Sequence, residues 1–261
     1  MRFRLLALDV DGTLVDWDNE MSAPVRAAVR TAVSAGAHAV VSTGRSVPGV
    51  MDAVTKLGLD CGMAVASNGS VVFSYAPEGK VELLHTVTFD AREAVRELLE
   101  HVPDAAVAVE EIGYGYRINK PFPAGEIHGE MWVQAIEQLV AEPVTRVIVR
   151  SPDATAEDFA ELVKTLGLVG TNYFVGHTAW LDLAPEGVSK ASGLEVVCDR
   201  LGVGRAEVLA LGDGTNDVEM LAWAGRGVAM GSASLPVVEA ADDQTGSVYE
   251  DGVATELARW F

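Results

Sequence analysis

Apolar positions along this chain alternate between short Val/Ala/Leu-rich runs and longer stretches of helical period, the alternation that βα units produce. "RLLALDV" reads as a buried strand, and "MSAPVRAAVRTAVSAG" as a helix with Ser22 as N-cap, Pro24 in the first turn and Gly36 at the stop. "AHAVVSTG" reads as a second strand, "SVPGVMDAVTKLGL" as a helix, and "GMAVASNGS" as a third strand running into a hairpin over residues 70 to 85. The pattern returns late: helix "GVSKASGLEVVCDRLG", strand "AEVLALGDG", helix "TNDVEMLAWAG", strand "RGVAM" and closing helix "DGVATELARWF". Residues 84 to 183 have a different texture. A helix capped by Asp90 is followed by strands "AAVAVEE" and "YGYRIN", then by the Pro/Gly-rich "KPFPAGEIHGE" and a helix near 130 to 140. Strand "TRVIVRS", helix "ATAEDFAELVKTLG" and strands "TNYFVG" and "AWLDLAP" complete it. This order suggests an α+β module inserted into an α/β domain with a parallel sheet, with junctions near Leu83 and Pro185.

Composition narrows the class of partner. The 261 residues permit one large domain or two modest ones, and 49% hydrophobic with 22% charged residues is the balance of a folded chain. Acidic residues number 38 against 19 basic ones, a net charge of −19 that argues against nucleic acid and anionic membranes. A small anionic substrate stays possible where positive charge gathers in one pocket. Cys61 and Cys198 are too few for a disulfide framework, and no Cys/His cluster has zinc-binding spacing. The first apolar run is too short for a secretory signal, and no window reaches the length of a membrane span. The expectation is a cytoplasmic protein, monomeric or a small homo-oligomer.

The candidate chemistry starts at "LLALDVDGTL", where Asp9 and Asp11 stand two apart at the end of an apolar run, before Gly12. One reading is a strand entering an acidic turn. A second is a calcium loop through Asp9, Asp11, Thr13 and Glu20, which fails because Leu14 occupies the position that needs glycine and a strand precedes it. The third is phosphoryl transfer. Side chains two apart on an extended chain point the same way, so both carboxylates can converge above the carboxyl ends of the sheet. One can attack phosphorus while the other handles protons. Mg²⁺, which favours carboxylate, water and phosphate oxygens, would turn their repulsion to use.

Further oxygen ligands are available in "LALGDGTNDVEML", with Asp213 beyond another apolar strand and Asp217 at a helix start. As a phosphate donor, Thr43 in "VVSTGR" competes with a plain strand-to-helix turn, together with the N–H groups at and after Gly44. Lys190 falls in the first turn of a predicted helix, where a cation opposes the macrodipole unless an anion sits beside it. Arg45 and Asn68 lie at strand ends too and are candidate phosphate-binding residues, in competition with a solvated helix start and a turn residue.

With "DVDGTL", "STGR", "GVSK" and "GDGTND" in this order, the sequence closely resembles the haloacid dehalogenase superfamily, specifically the Cof-type hydrolases of subclass IIB. The resemblance implies an α/β fold: a Rossmann-like, doubly wound parallel core over residues 1–83 and 184–261, carrying an inserted α+β cap over 84–183. It implies Asp9 as a nucleophile forming an aspartyl-phosphate, and Asp11 as the acid that protonates the leaving oxygen and then activates water. Thr43 and Lys190 would hold phosphoryl oxygens, and Asn216 would touch phosphate. Mg²⁺ would be held by the Asp9 carboxylate, the Asp11 main-chain carbonyl and Asp213, with Asp217 direct or through water. The substrate implied is a sugar phosphate or another small phosphorylated metabolite. Ala191 departs from the family's frequent glycine, a matter of one methyl group. A phosphosugar mutase on the same fold and a receiver-like phospho-switch are alternatives. The switch would need a phosphorylated Asp on a later strand, and Asp60, the one acid near that spacing, sits in the "GLDCG" turn. The cap carries no legible motif. Arg117, His177, Tyr114, Tyr116 and Trp180 are candidates for substrate contact, or for cap surface and core.

Overall fold

The computed structural model describes residues 2–123, 126, 127, 129–151, 155–166, 171–175 and 179–261; His177 lies outside the described residues. The chain opens with β1 (Leu5–Leu8), α1 (Ala23–Ser34), β2 (His38–Val41), α2 (Val47–Leu57) and β3 (Gly62–Ala66), then the hairpin β4 (Val71–Ala76) and β5 (Lys80–Thr86). Next come α3 (Arg92–His101), β6 (Ala106–Glu111), β7 (Gly115–Ile118), β8 (Glu130–Val133), α4 (Ile136–Leu139), β9 (Val147–Arg150), α5 (Ala156–Leu166), β10 (Thr171–Val175) and β11 (Trp180–Pro185). The last stretch holds α6 (Lys190–Leu201), β12 (Val208–Gly212), α7 (Val218–Trp223), β13 (Arg226–Ala229), α8 (Leu235–Ala240), β14 (Asp243–Gln244) and α9 (Gly252–Leu257). These elements form two compact units, one of Met1–Arg45, Gly49–His85 and Ser189–Phe261, the other of Ser46–Pro48 and Thr86–Val188.

The first unit is built on a parallel sheet of order β14-β13-β12-β1-β2. Strand β1 is central and every residue in it is buried, which is why it reads as an unbroken apolar run. Leu5 and Ala7 share a core cluster with Leu194 and Val197 of α6, Met220 and Leu221 of α7 and Val237 of α8. Leu6 and Leu8 point to the other face and are equally buried. A parallel bridge from Ser42 to Val65 brings β3 beside β2. Helix α1 packs on β2 and α9 and starts where expected: the Ser22 hydroxyl accepts from the Val25 N–H, Pro24 lies in the first turn, and Gly36 takes φ 100° just past the end.

The second unit is a six-stranded sheet of order β10-β11-β9-β6-β7-β8, antiparallel except between β7 and β8. Alternate residues Val107, Val109, Val147, Val149, Leu181 and Leu183 pack under Val95 and Leu98 of α3 and Phe159 of α5. Residues 130 to 140, expected as one helix, are instead strand β8 followed by the single turn α4. The run "EMWV" is pulled into the sheet by pairing with β7, Gly115 opposite Glu130 and Ile118 opposite Val133, and only "IEQL" keeps the helical turn. Asp90 sits one residue before the cap of the helix it was expected to cap; its carboxylate accepts from the Arg92 N–H, and Ala91 holds the cap position.

Candidate active site

Register places the site. Leu8 pairs with Leu211 on one side and Val41 on the other, so β1, β2 and β12 end level and Asp9, Thr43 and Asp213 leave the sheet along one rim. The Asp9 N–H still donates to Leu211 O at 3.1 Å, which holds its Cα at the last step of the ladder. Gly12 then turns the chain with φ 75°, and a Cβ there would stand 2.3 Å from Asp213 Oδ2. Only glycine lets the Asp213 carboxylate lie against that backbone.

Lys190, the first residue of α6, is completely buried. Its Nζ donates to Asp9 Oδ1 and to Asp217 Oδ1, each at 2.6 Å. Asp217 Oδ2 accepts from the backbone N–H groups of Asp213 at 3.0 Å and Gly214 at 2.9 Å. One carboxylate thus ties the buried ammonium to the loop that carries Asp213. Carboxylate oxygens of Asp9, Asp213 and Asp217 lie within 4.8 Å of one another. Burial and then the Asp217 charge hold the Asp9 carboxyl well above the usual range, against the pull of Lys190. The same two causes push Asp213 up to about 7. Burial would lower the Lys190 ammonium, but Asp217 and Asp9 outweigh it and raise it.

These shifts carry a stability signature. Between the ordinary 3.8 and about 7, Asp213 is protonated in the folded state and ionised in the unfolded one. The folded state then binds more protons, so stability falls as pH rises through that window. In EDTA the melting midpoint is expected to drop by several degrees from about pH 5 to about pH 8. A midpoint that climbs over that interval would contradict the crowding of carboxylates described above.

On the other side of the rim, Thr43 is buried and its Oγ1 accepts from the Arg45 N–H at 3.2 Å, so the turn reading accounts for one of its hydroxyl's bonds. The turn after β3 docks on this loop: Ser67 N–H donates to Arg45 O and Asn68 N–H to Thr43 O. Ser67 and Asn68 both hold left-handed backbone, φ 51° and 54°, a strain that marks functional turns. It aims the buried Asn68 amide so that its Oδ1 accepts from Asn216 Nδ2 at 2.9 Å and lies 3.1 Å from where a Cβ on Gly44 would be. Thr43, Gly44, Asn68 and Asn216 therefore form one contiguous polar edge. Arg45 is turned elsewhere: its guanidinium clasps the carboxylate of Asp11. Its further partners, Asn19 and Asp52, carry no signal in the sequence beyond their polarity. Asp60 is exposed at the start of β3, the opposite end from Thr43.

The candidates in the second unit divide by face. Tyr116 is buried, its hydroxyl 3.3 Å from Nη1 of Arg146, whose Nε donates to Asp182 Oδ1 at 2.8 Å. Neither Arg146 nor Asp182 was marked by any sequence motif. Arg117 points the other way and pairs with Glu111, lining with Tyr114, Trp132 and Gln134 an open hollow of about 390 Å³. Trp180 packs edge-on against Phe122, centroids 6.2 Å apart.

A family model described as haloacid dehalogenase-like hydrolase matches residues 6–257. The chain is 30% identical to the 5-amino-6-(5-phospho-D-ribitylamino)uracil phosphatase YcsE of Bacillus subtilis, over 98% of this chain and 95% of that one. It is 32% identical to a phosphoglycolate phosphatase of Haloarcula marismortui, over 97% and 95% of the two chains. Among solved structures it superposes on BT1666 of Bacteroides thetaiotaomicron, a phosphatase of the haloalkanoate (HAD) superfamily, with TM-score 0.78 and 28% identity over 98% of this chain and 94% of that one. No helix among the described residues is long and apolar enough to cross a membrane.

Proposed function

Because this chain belongs to the haloacid dehalogenase-like hydrolase family, we propose that it is a Mg²⁺-dependent phosphatase of small phosphomonoesters. The observation that carries the reading is the buried cluster in which Lys190 bridges Asp9 and Asp217 while Asp213 crowds against both. With all three carboxylates ionised against one ammonium, two negative charges are left in a buried place, and their cost is what raises Asp9 and Asp213. An all-oxygen donor set with that deficit fits a hard divalent cation. Asp9, the Asp11 main-chain carbonyl and Asp213 would hold it. Asp217, with both oxygens already hydrogen-bonded, would act through water. When bound, the ion draws charge from the phosphoryl oxygens and from the cluster.

The residues of the chain do the rest. The Asp9 carboxylate attacks phosphorus; the new O–P bond forms as the ester P–O bond breaks, and its electron pair leaves on the alcohol oxygen, which takes a proton from Asp11. Asp11 then receives a proton from water as that water attacks phosphorus, and the Asp9–phosphorus bond breaks to restore the carboxylate. Lys190 fixes Asp9 and lowers the repulsion met by an incoming phosphate. Thr43, Gly44 and Asn216 supply donors to the phosphoryl oxygens, with Asn68 orienting Asn216. The second unit, Thr86–Val188, is the proposed substrate-selecting cap. The two named relatives are phosphatases of 5-amino-6-(5-phospho-D-ribitylamino)uracil and of phosphoglycolate, and a sugar phosphate or similar metabolite is the substrate class proposed for this chain.

A screen of phosphorylated metabolites for released inorganic phosphate tests this directly. Turnover is expected to vanish in EDTA and to return with excess Mg²⁺. Because Asp213 is pushed up to about 7 and Asp9 is raised as well, Mg²⁺ affinity is also expected to fall by at least roughly tenfold per pH unit below about 7, read by calorimetry without substrate. Indifference to chelation would remove the metal from the proposal, and an isomerised sugar phosphate without free phosphate would make the protein a mutase.

A further inference from the structure

Arg45 follows Thr43 and Gly44 at the mouth of the site, yet its donors are directed at another protein group. Nε donates to Asp11 Oδ2 at 3.0 Å and Nη2 to Asp11 Oδ1 at 2.6 Å, so the forked edge that could grip a phosphate grips a carboxylate instead. The guanidinium is itself pinned. Nη2 also donates to Asn19 Oδ1 at 3.0 Å, and Nη1 stands 3.7 Å from Asp52 Oδ2. Asn19 Nδ2 donates to the same Asp52 oxygen at 3.1 Å, which closes the ring, and Lys56 holds Asp52 from the next turn of α2. The stem of Arg45 lies against Gly49, where a Cβ would stand 2.9 Å from its own Cβ. Asn19 holds left-handed backbone, φ 61°, to bring its amide here. By contrast Asp11 has a half-exposed side chain, 47%, and Arg45 is the one side chain among the described residues that hydrogen-bonds it.

We propose that Arg45 is the positioning residue of Asp11: the clasp, braced by Asn19, Asp52 and the glycine at 49, sets the direction in which Asp11 presents its carboxyl to the departing oxygen. This rests on the phosphatase reading, in which Asp11 gives its proton to the oxygen that leaves phosphorus. A misdirected Asp11 harms only those esters whose leaving oxygen needs that proton. A phosphate-gripping arginine, on the other hand, serves every ester alike.

The test compares p-nitrophenyl phosphate, whose leaving group departs readily as an anion, with phenyl phosphate, whose leaving group is more basic. Values of kcat/KM cover the steps up to departure of the phenol and exclude the later attack of water. Arg45→Met is expected to lower kcat/KM for phenyl phosphate by roughly 10–100-fold and for p-nitrophenyl phosphate by less than about 3-fold, because a misdirected acid forfeits a part of the roughly 10²–10⁴-fold that general acid catalysis contributes. Arg45→Lys, which keeps the charge and loses the fork, is expected to behave like Arg45→Met. In an Asp11→Asn background, Arg45→Met should add less than about 3-fold to the loss, since the two residues act as one unit. Equal losses on both esters, or losses that multiply in the double variant, would overturn the inference and make Arg45 a phosphate ligand. Calorimetric Mg²⁺ affinity at the wild-type value shows that the variants are folded. Should Arg45→Met not fold, Asn19→Gly keeps the left-handed backbone while removing the brace, and the same phenyl-selective loss is expected; no selectivity there would equally overturn it. Failure of the underlying reading looks different: Asp9→Asn would then turn over both esters at the wild-type rate.

Discussion

Asp9→Asn is expected to lower phosphate release by roughly 10⁴-fold or more, the scale of losing a nucleophile. The substitution is nearly isosteric, and the amide oxygen can still accept from Lys190 in place of the bond now measured at 2.6 Å. What it removes is the charge and the lone pair that would attack phosphorus. Stability should move in the opposite direction. Burial and the neighbouring Asp217 disfavour ionised Asp9, so its charge weakens the metal-free fold at neutral pH. In EDTA the Asp9→Asn variant should therefore melt higher than the parent while being inert, and its Mg²⁺ affinity should fall because one ligand is gone. An inactive variant that also melts lower would point to ordinary structural damage, and an active one would remove Asp9 from the chemistry.

Much of the core was legible because its strands are buried on both faces. An unbroken apolar run such as "LLAL" or "VLALG" can be satisfied only inside a covered parallel sheet, and each ends in the carboxylate or hydroxyl that the register then gathers. Helix α1 was legible for a local reason, since its cap, proline and stop are neighbours in sequence. The errors and omissions lie where a residue's role is decided by a distant partner. Strand β8 is an exposed edge held by pairing with β7, so its own residues show no alternation to betray it. Strand β14, two residues long, exists only as the last rung beside β13. Arg146 and Asp182 lie 36 residues apart on β9 and β11 and meet as a buried pair that no spacing announces. Arg45 is the most instructive case. Its position beside Thr43 and Gly44 suggested phosphate, and only the side-chain direction, fixed by Asn19 and Asp52, reveals Asp11 as its partner. Local patterns thus disclosed which groups reach the rim, while the pairings among them required three dimensions.

The acidic balance of the chain, −19 overall, makes Lys190, the one fully buried lysine among the described residues, the most exposed to test. Lys190→Met keeps the volume of the stem and deletes the ammonium, leaving Asp9, Asp213 and Asp217 without their internal cation. Breaking a buried pair from one side costs about 3–5 kcal/mol, and a part of that is recovered when the orphaned carboxylates take up protons. The raised Lys190 contributes stability that is fully present below its unfolded value of 10.5, so the parent loses nothing of that contribution across the neutral range. The variant differs: its carboxylates are pushed further up, and in EDTA its stability should fall more steeply than the parent's from about pH 5 to about pH 8. Excess Mg²⁺ should restore a large share of the melting midpoint, because a divalent ion supplies the missing charge to the same oxygens. Turnover should not follow, remaining down by roughly 10³-fold, since neither the bound ion nor a methionine holds Asp9 against α6 for the attack. Recovery of both stability and activity with Mg²⁺ would reduce Lys190 to a structural counter-charge, whereas recovery of stability alone would establish it as the group that places the nucleophile.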